Sequence, residues 1–164
     1  MPLPGNRIFV TSWEESAVLE ITAKEGTFKV QEVWRKPVFK ANYSPTVYHQ
    51  GYLYGMNSAV LTCLDAATGE VKWKERIYNG SLILVGDHLA VIGERSGNFL
   101  LIEATAEKFK EKLKQKVFNP GALSMTGPMF VDGRFLLRNG EEMVLMEVVA
   151  GKAGDSGKEK GKSP

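Results

Sequence analysis

The sequence predicts an all-β fold of about four propeller-type units of antiparallel strands, with the first and the last unit incomplete. A pattern of turn, apolar run, polar break and second apolar run occurs four times, with Asn6, Gly51, His88 and Gly133 at matching positions. The spacings are 45, 37 and 45 residues, in or near the range of about 40 to 50 residues typical of propeller blades. The runs are short, bounded by Gly, Asn and Ser, and without sustained helical periodicity.

Each unit is predicted to contribute two central strands on either side of a polar break. The breaks are "SWEES", "GMNS", "GERSGN" and "RNGEE" in chain order. A preceding strand is predicted in units two to four, from "SPTVYHQG", "SLILVGDH" and "GPMFVDG", so the chain is predicted to begin at the second strand of a unit. The apolar residues of the central strands are Ile8, Val10, Val18, Leu19, Ile21, Tyr52, Leu53, Tyr54, Val60, Leu61, Leu64, Leu89, Val91, Ile92, Phe99, Leu100, Leu101, Ile102, Phe135, Leu136, Leu137, Met143, Val144 and Leu145.

The stretch "CLDAATGEVKW", residues 63–73, is predicted as a strand, a tight turn and an outer strand. Asp65 can accept hydrogen bonds from N–H groups of the turn, and Gly69 provides a positive φ without steric strain. Trp73 is predicted to fill the wedge between neighbouring units, and Trp34 in "KVQEVWRK" holds the matching position in the first unit. The alternative is that an indole stacks on a ligand.

The stretch "SPTVYHQGYLYGMNSAVLTCLDAATGEVKW" resembles the repeat of pyrroloquinoline-quinone-type β-propellers. The resemblance is strong over residues 44–76, and residues 5–149 resemble degenerate copies. The tryptophan-docking position of the family falls on Trp73 and its turn glycine on Gly69. The third unit, "IEATAEKFKEK", departs from the pattern, and the fourth has no outer strand after "LMEVV".

The resemblance implies blades around a central channel, about six to eight in number, in a WD40-like architecture. It implies that this chain is the C-terminal part of a longer bacterial propeller, an open partial ring whose other half supplies further blades, a closing strand and any signal peptide. A closed four-bladed ring is the alternative. A full-length member is expected in the periplasm or cell envelope, while the localisation of this chain stays open.

The family contains quinone-dependent alcohol and sugar dehydrogenases and also non-enzymatic members, such as the outer-membrane assembly lipoprotein. We expect a non-catalytic scaffold that binds a protein partner or the other half of the propeller. The alternative is a dehydrogenase fragment, and only then are pyrroloquinoline quinone and calcium expected. No residue matches the calcium ligands or the catalytic Asp of the family, so no catalytic, cofactor-binding or metal residue is assigned. The family's disulfide between adjacent cysteines cannot form, because Cys63 is the only cysteine.

Composition and charge narrow the class of partner. The net charge is +2, and the surplus lies in the Gly/Lys-rich residues 151–164, which are predicted to be a disordered tail behind a repeat domain at residues 1–150. Nucleic acid is therefore not expected as a partner. No run approaches the roughly 20 apolar residues of a membrane span, and "MPLPGNRIFVTSW" is not a secretory signal. Cys63 is predicted to be a buried hydrophobe, with a reactive thiol as the alternative.

The remaining candidate residues are predicted to be structural. Lysines at every second position of Lys108–Lys116 are predicted to share one strand face and to protect an outer edge, with an anion-binding or acidic-partner patch as the alternative. His49 and His88 lack metal-ligand spacing, and Asp87 and Asp132 are predicted to form turns. Open blade faces and unpaired edges would also favour self-association of two half-rings.

Overall fold

The computed structural model describes residues 1–39 and 44–148, which contain 15 β-strands and no helix. The predicted tail at 151–164 and the domain boundary at residue 150 lie outside the described residues. The strands are β1 Pro2–Leu3, β2 Arg7–Thr11, β3 Ser16–Lys24, β4 Thr27–Lys36, β5 Val47–His49, β6 Tyr52–Asn57, β7 Val60–Asp65, β8 Val71–Arg76, β9 Gly80–Val85, β10 His88–Gly93, β11 Asn98–Glu103, β12 Glu111–Lys116, β13 Met129–Val131, β14 Arg134–Arg138 and β15 Met143–Glu147.

Every strand pairs only with its neighbours in sequence, in four separate antiparallel sheets. Blade 1 comprises β1–β4, blade 2 β5–β8, blade 3 β9–β12 and blade 4 β13–β15. Blade 4 therefore has three strands within the described residues. These sheets are consecutive up-and-down units of three or four strands, as in propeller blades. The predicted all-β class and antiparallel blades are confirmed.

Blade 1 has one strand more than the sequence predicts. The prediction began this unit at its second strand, but Pro2–Leu3 pairs with β2 as a short first strand. The pairing is extended by Met1, whose carbonyl accepts from the N–H of Phe9 at 2.8 Å and whose ammonium donates to the Phe9 carbonyl at 2.8 Å. A two-residue strand that begins with proline has no alternation to detect, although proline is tolerated at a strand start.

The repeat register differs by one residue in the third unit. Blades 2, 3 and 4 each join their first two strands by a two-residue turn, and these turns are Gln50–Gly51, Gly86–Asp87 and Asp132–Gly133. Asp87, and not His88, therefore corresponds to Gly51 and Gly133, while His88 begins β10 as Tyr52 begins β6. The corrected spacings from Asn6 onward are 45, 36 and 46 residues.

The hydrophobic core lies between successive blades, in three clusters. Phe9 and Val18 of blade 1 pack with Leu53 and Leu64 of blade 2. Tyr54, the neighbour of Leu53 in sequence, belongs to the cluster with blade 3. A third cluster joins blades 3 and 4. Because successive side chains of a strand point to opposite faces, each inner blade covers both of its neighbours.

Trp34 and Trp73 fill equivalent positions at the first two interfaces, as predicted. The Trp34 indole N–H donates to the Ala66 carbonyl of blade 2 at 3.0 Å. The Trp73 indole N–H donates to the Thr105 carbonyl of blade 3 at 2.8 Å. Both residues are more than nine-tenths buried. Each tryptophan thus fills the space between two sheets. It also hydrogen-bonds to the turn between the third and fourth strands of the following blade.

The third interface is closed without an indole. Leu113 pairs with Leu101 immediately before a β-bulge, in the way that Trp34 pairs with Val18 and Trp73 with Cys63. Phenylalanines fill the larger space, and the rings of Phe99 and Phe135 lie 4.9 Å apart between their centroids. The missing tryptophan of the third unit is therefore replaced by aromatic packing from the strands themselves.

The turn at Asp65–Gly69 is the surface on which Trp34 docks. The Asp65 carboxylate accepts from the N–H groups of Ala67 and Thr68 at 2.9 and 3.0 Å, as predicted. Gly69 has a φ of 68°. A Cβ atom at Gly69 would lie 2.8 Å from Cδ2 of Trp34, so the position requires glycine for its backbone and for the approach of the indole.

Replacement of Gly69 by alanine should test this contact. Gly69→Ala and Gly86→Ala both place a side chain at a positive φ, at about 1–2 kcal/mol each. Only Gly69→Ala also creates a steric clash with the Trp34 indole, because nothing lies within 4 Å of a Cβ at Gly86. We expect Gly69→Ala to lower the free energy of unfolding by about 1–3 kcal/mol more than Gly86→Ala does. Urea denaturation measures the difference, and equal midpoints would contradict the contact.

Truncation of the second tryptophan should be strongly destabilising. We expect Trp73→Ala to lower the free energy of unfolding by about 3–5 kcal/mol through the cavity it leaves. Trp73→Phe should lower it by about 1–3 kcal/mol, since the Thr105 carbonyl then loses its donor. Trp13→Ala is the matched control, because Trp13 is exposed and should change stability by less than about 0.5 kcal/mol. Similar denaturation midpoints for Trp73→Ala and Trp13→Ala would show the wedge to be unimportant.

Candidate functional site

A pocket of about 220 Å³ lies where loops from several blades meet, and we call it the channel-mouth pocket. The turns between the second and third strands of blades 1, 2 and 3 contribute to it, together with the start of β9 and the connection that leads into blade 4. This convergence shows that the turns of blades 1, 2 and 3 and the connection to blade 4 lie close together at one end of the sheets. The lining residues are Trp13, Met56, Ser58, Asn79, Gly80, Ser81, Glu94, Ser124 and Met125.

The pocket contains a buried hydroxyl group without a partner. Ser124 is only 2% exposed, and its Oγ makes no hydrogen bond to the described residues. Its position is fixed by the backbone, because its N–H donates to the Glu94 carbonyl at 2.7 Å. Buried polar groups in folded proteins nearly always have a partner. The Ser124 hydroxyl therefore has unused hydrogen-bonding capacity in the wall of the pocket, where its oxygen is shielded from solvent.

The rim of the pocket is formed by an exposed indole. Trp13 is 64% exposed and lies in the β2–β3 turn, where the Ser12 hydroxyl accepts from the N–H groups of Glu14 and Glu15 at 3.3 and 3.2 Å. This local turn leaves Trp13 outside the sheet. Met125 is exposed beside it, and Glu94 places a carboxylate in the lining. The arrangement combines an aromatic face, thioethers and a few polar groups.

The described donor set does not fit the calcium and quinone of the quinone-dependent dehydrogenases. Ca²⁺ takes about six to eight oxygen ligands. Residues 1–39 and 44–148 contain no group of three or more His, Cys, Asp or Glu side chains that could hold a metal ion. Pyrroloquinoline quinone is a polycarboxylate at neutral pH, and the lining of the channel-mouth pocket contains Glu94 but no Lys or Arg to bind its carboxylates.

A second cleft of about 610 Å³ lies at the opposite ends of blades 2 and 3. There His49 and Asp87 form a pair between the blades, with 3.1 Å between Nε2 and Oδ1. Asp87 lies in its turn as predicted, and His88 also lines the cleft. The pair joins the end of β5 to the β9–β10 turn, which is distant in sequence, so neither spacing nor composition could indicate it.

Cys63 is a buried core residue. Its side chain is fully buried beside Tyr54 in the cluster between blades 2 and 3. Burial raises the pKa of the Cys63 thiol to about 11, and burial likewise raises the pKa of the Tyr54 phenol above its usual value. A thiolate is therefore disfavoured at neutral pH. This confirms Cys63 as a buried hydrophobe rather than a reactive thiol.

The lysines of the third unit do not form the predicted row on one strand. Lys108 and Lys110 precede β12, which begins at Glu111. The Glu103 carboxylate pairs with Lys110 at 3.2 Å and with Lys112 at 2.6 Å. These hydrogen bonds, from Lys112 and then Lys110, hold the pKa of Glu103 below its usual value. Part of the anion-binding patch, which was the alternative interpretation of these lysines, is thus already neutralised within the chain.

Comparisons with known proteins identify a similar structure but no family. No family model matches this sequence, and no curated protein matches it. Among solved structures, the chain is similar to a europium-containing methanol dehydrogenase, with 16% sequence identity and a TM-score of 0.48. The match covers 74% of this chain and 24% of the enzyme, so the chain spans about a quarter of that protein's length. The assignment of propeller blades rests on the four sheets themselves.

A membrane-spanning helix needs about 20 apolar residues. Across residues 1–39 and 44–148, the structure contains no helix with the length and apolar character needed to span a bilayer.

The buried thiol should make stability fall at alkaline pH. In the unfolded chain the thiol loses its proton near pH 8.5, whereas in the folded protein it keeps the proton until about pH 11. The unfolded state therefore binds fewer protons between these values, and the free energy of unfolding should fall there by about 3 kcal/mol. The contribution is fully present below about pH 8.

Urea denaturation of the wild type and of Cys63→Ala across this pH range measures the effect. The pKa of Tyr54 is raised chiefly by burial, which the variant retains, so the difference between the two curves reports mainly on the thiol. We expect that difference to shrink as the pH rises from about 8.5 to about 11. Parallel curves would contradict the raised pKa of Cys63.

Proposed function

We propose that this chain is a non-catalytic propeller module that binds a protein partner at the channel-mouth pocket. The observation that carries the proposal is the pairing of an exposed indole with a buried, unpartnered hydroxyl. Trp13 stands at the rim, and Ser124 is a lining residue whose buried Oγ has no partner among the described residues. Tryptophan is enriched among residues that dominate binding energy at protein interfaces.

The chemistry of the lining favours a peptide segment. Trp13 and Met125 offer apolar surface of the type enriched at protein interfaces. The Ser124 hydroxyl can donate to a peptide carbonyl or accept from a peptide N–H. The Glu94 carboxylate can accept from a basic side chain of the partner. A segment with one apolar and one basic side chain would use each of these groups.

The size of the pocket also favours a partner's side chain over a cofactor. Pockets for small molecules usually measure about 300–1,000 Å³. The channel-mouth pocket measures about 220 Å³, which suits a single inserted side chain. The surrounding turns would then supply the rest of the contact area.

Selection of peptides from a phage-displayed library against the full chain tests this function. A selected peptide is synthesised, and its affinity is measured by calorimetry. We expect Trp13→Ala to weaken binding at least about tenfold, as loss of a dominant aromatic contact does. Lys114→Ala is the control, because this exposed lysine lies on β12, away from the pocket. It should change the affinity less than about twofold.

Two results would contradict the proposal. One is a set of selected peptides whose affinity is the same for Trp13→Ala and the wild type, since binding would then occur elsewhere. The other is a rise in melting temperature on addition of pyrroloquinoline quinone and Ca²⁺, because a ligand stabilises only the state that binds it. That second result would favour the dehydrogenase fragment.

A further inference from the structure

Blade 1 has an apolar face that packs on no other blade within the described residues. Its side chains alternate with those that contact blade 2, so they point to the opposite side of the sheet. Val10, near the end of β2 on this face, is 39% exposed. The face is formed by Ile8, Val10, Leu19, Ile21 and Val30.

Blade 4 has a comparable open face on its opposite side. Met129, Leu136 and Leu145 are aligned across the three strands of this sheet. Leu145 is 61% exposed, and Met129, Val131 and Met143 are exposed as well. The other face of blade 4 packs on blade 3 through Phe135 and its neighbours. Both ends of the arc therefore present apolar sheet surface.

The two open faces are the two halves of one type of interface. The pair Leu136 and Leu145 corresponds to Phe9 with Val18 and to Tyr54 with Cys63, pairs that contact the following blade.

The pair Ile8 and Leu19 of blade 1 corresponds to three other pairs, and each of these contacts the preceding blade. These pairs are Leu53 with Leu64, Leu89 with Ile102, and Phe135 with Met146.

We propose that the open face of blade 4 in one copy of this chain packs on the open face of blade 1 in a second copy. The contact uses the strand pairs that form the blade-to-blade interface three times within the chain, with three described strands from blade 4. The charges of the two faces have opposite net sign. The blade 1 face carries Glu15 and Glu32, which both pair with Arg35, whereas the blade 4 face carries Arg134, Arg138 and Glu147.

The head-to-tail contact closes into a ring of two copies. Contacts between unlike surfaces form a ring when the rotation closes and a filament when it does not. Two copies of four blades give eight blades, within the known range of about four to eight. Turns of blades 1, 2 and 3 and the connection to blade 4 already meet at a single pocket, as expected of sheets arranged side by side in an arc. The pocket itself is formed within one copy, so this pairing does not depend on the proposed function.

Sedimentation velocity of the full chain over a range of concentrations tests the pairing. We expect a species of twice the 18.1 kDa chain mass. Val10→Asp and Leu145→Asp should each raise the dissociation constant at least about 100-fold, because each buries a charge in every contact. Val71→Asp is the matched control, since Val71 is 40% exposed on β8, away from both faces. It should remain dimeric.

A mixture of the two variants distinguishes a head-to-tail contact from a contact between like faces. Val10→Asp keeps an intact blade 4 face, and Leu145→Asp keeps an intact blade 1 face. An equimolar mixture should therefore recover dimers, each held by one intact contact. Melting curves confirm that each variant is folded, and retained binding of the selected peptide by Val10→Asp separates this test from that of the proposed function.

Three results would overturn the pairing. The wild type could sediment as a monomer at every concentration, which would leave the faces to other blades or to another partner. Only one of the two aspartate variants could dissociate, which would indicate a contact between two like faces. The mixture could fail to recover dimers although each variant is folded, which would exclude the head-to-tail contact.

Discussion

The structure depends on one constraint: each sheet of this chain has two apolar faces, and each face must be covered by another sheet. In β6 and β10 four or more successive residues are buried, so an isolated blade would expose apolar surface on both sides. Neighbouring blades solve this problem for each other. Stability is then a sum of sheet stabilities and interface terms, as in other repeat proteins.

The indole hydrogen bonds show how this constraint tolerates variation in sequence. Trp34 and Trp73 donate to backbone carbonyls, at Ala66 and Thr105 respectively. A backbone acceptor is present whatever the side chain, so the accepting turn can change from "DAATG" to "EATAE". The longer turn of blade 3 also brings Phe109 against Trp73, with 5.9 Å between the ring centroids. The family-like pattern is lost in the sequence of blade 3, but the docking of Trp73 is retained.

The sequence predicted what local rules determine. Alternation, turn residues and the repeated tryptophan identified the strands, the blades, the glycine turn and the wedge. It could not predict the Pro2–Leu3 strand, which is too short to alternate, or the turn register at Asp87, which depends on backbone angles. The His49–Asp87 pair and the channel-mouth pocket were also missed, because their residues come from different blades. Only the curvature of the arc brings those residues together.

The same constraint explains why recognition would lie at the channel mouth. The strand residues of an inner blade pack on both neighbouring blades. The turns between the third and fourth strands accept the indole hydrogen bonds of Trp34 and Trp73 from the preceding blade. Within the described residues, the turns between the second and third strands of blades 1 to 3 accept no such indole hydrogen bond, so their sequences can differ. Each contributes a different residue to the pocket lining, and these residues are Trp13, Ser58 and Glu94. In an eight-bladed ring of two copies, each pocket would occur twice. A partner with two binding segments would then gain affinity through effective concentration, without any new contact.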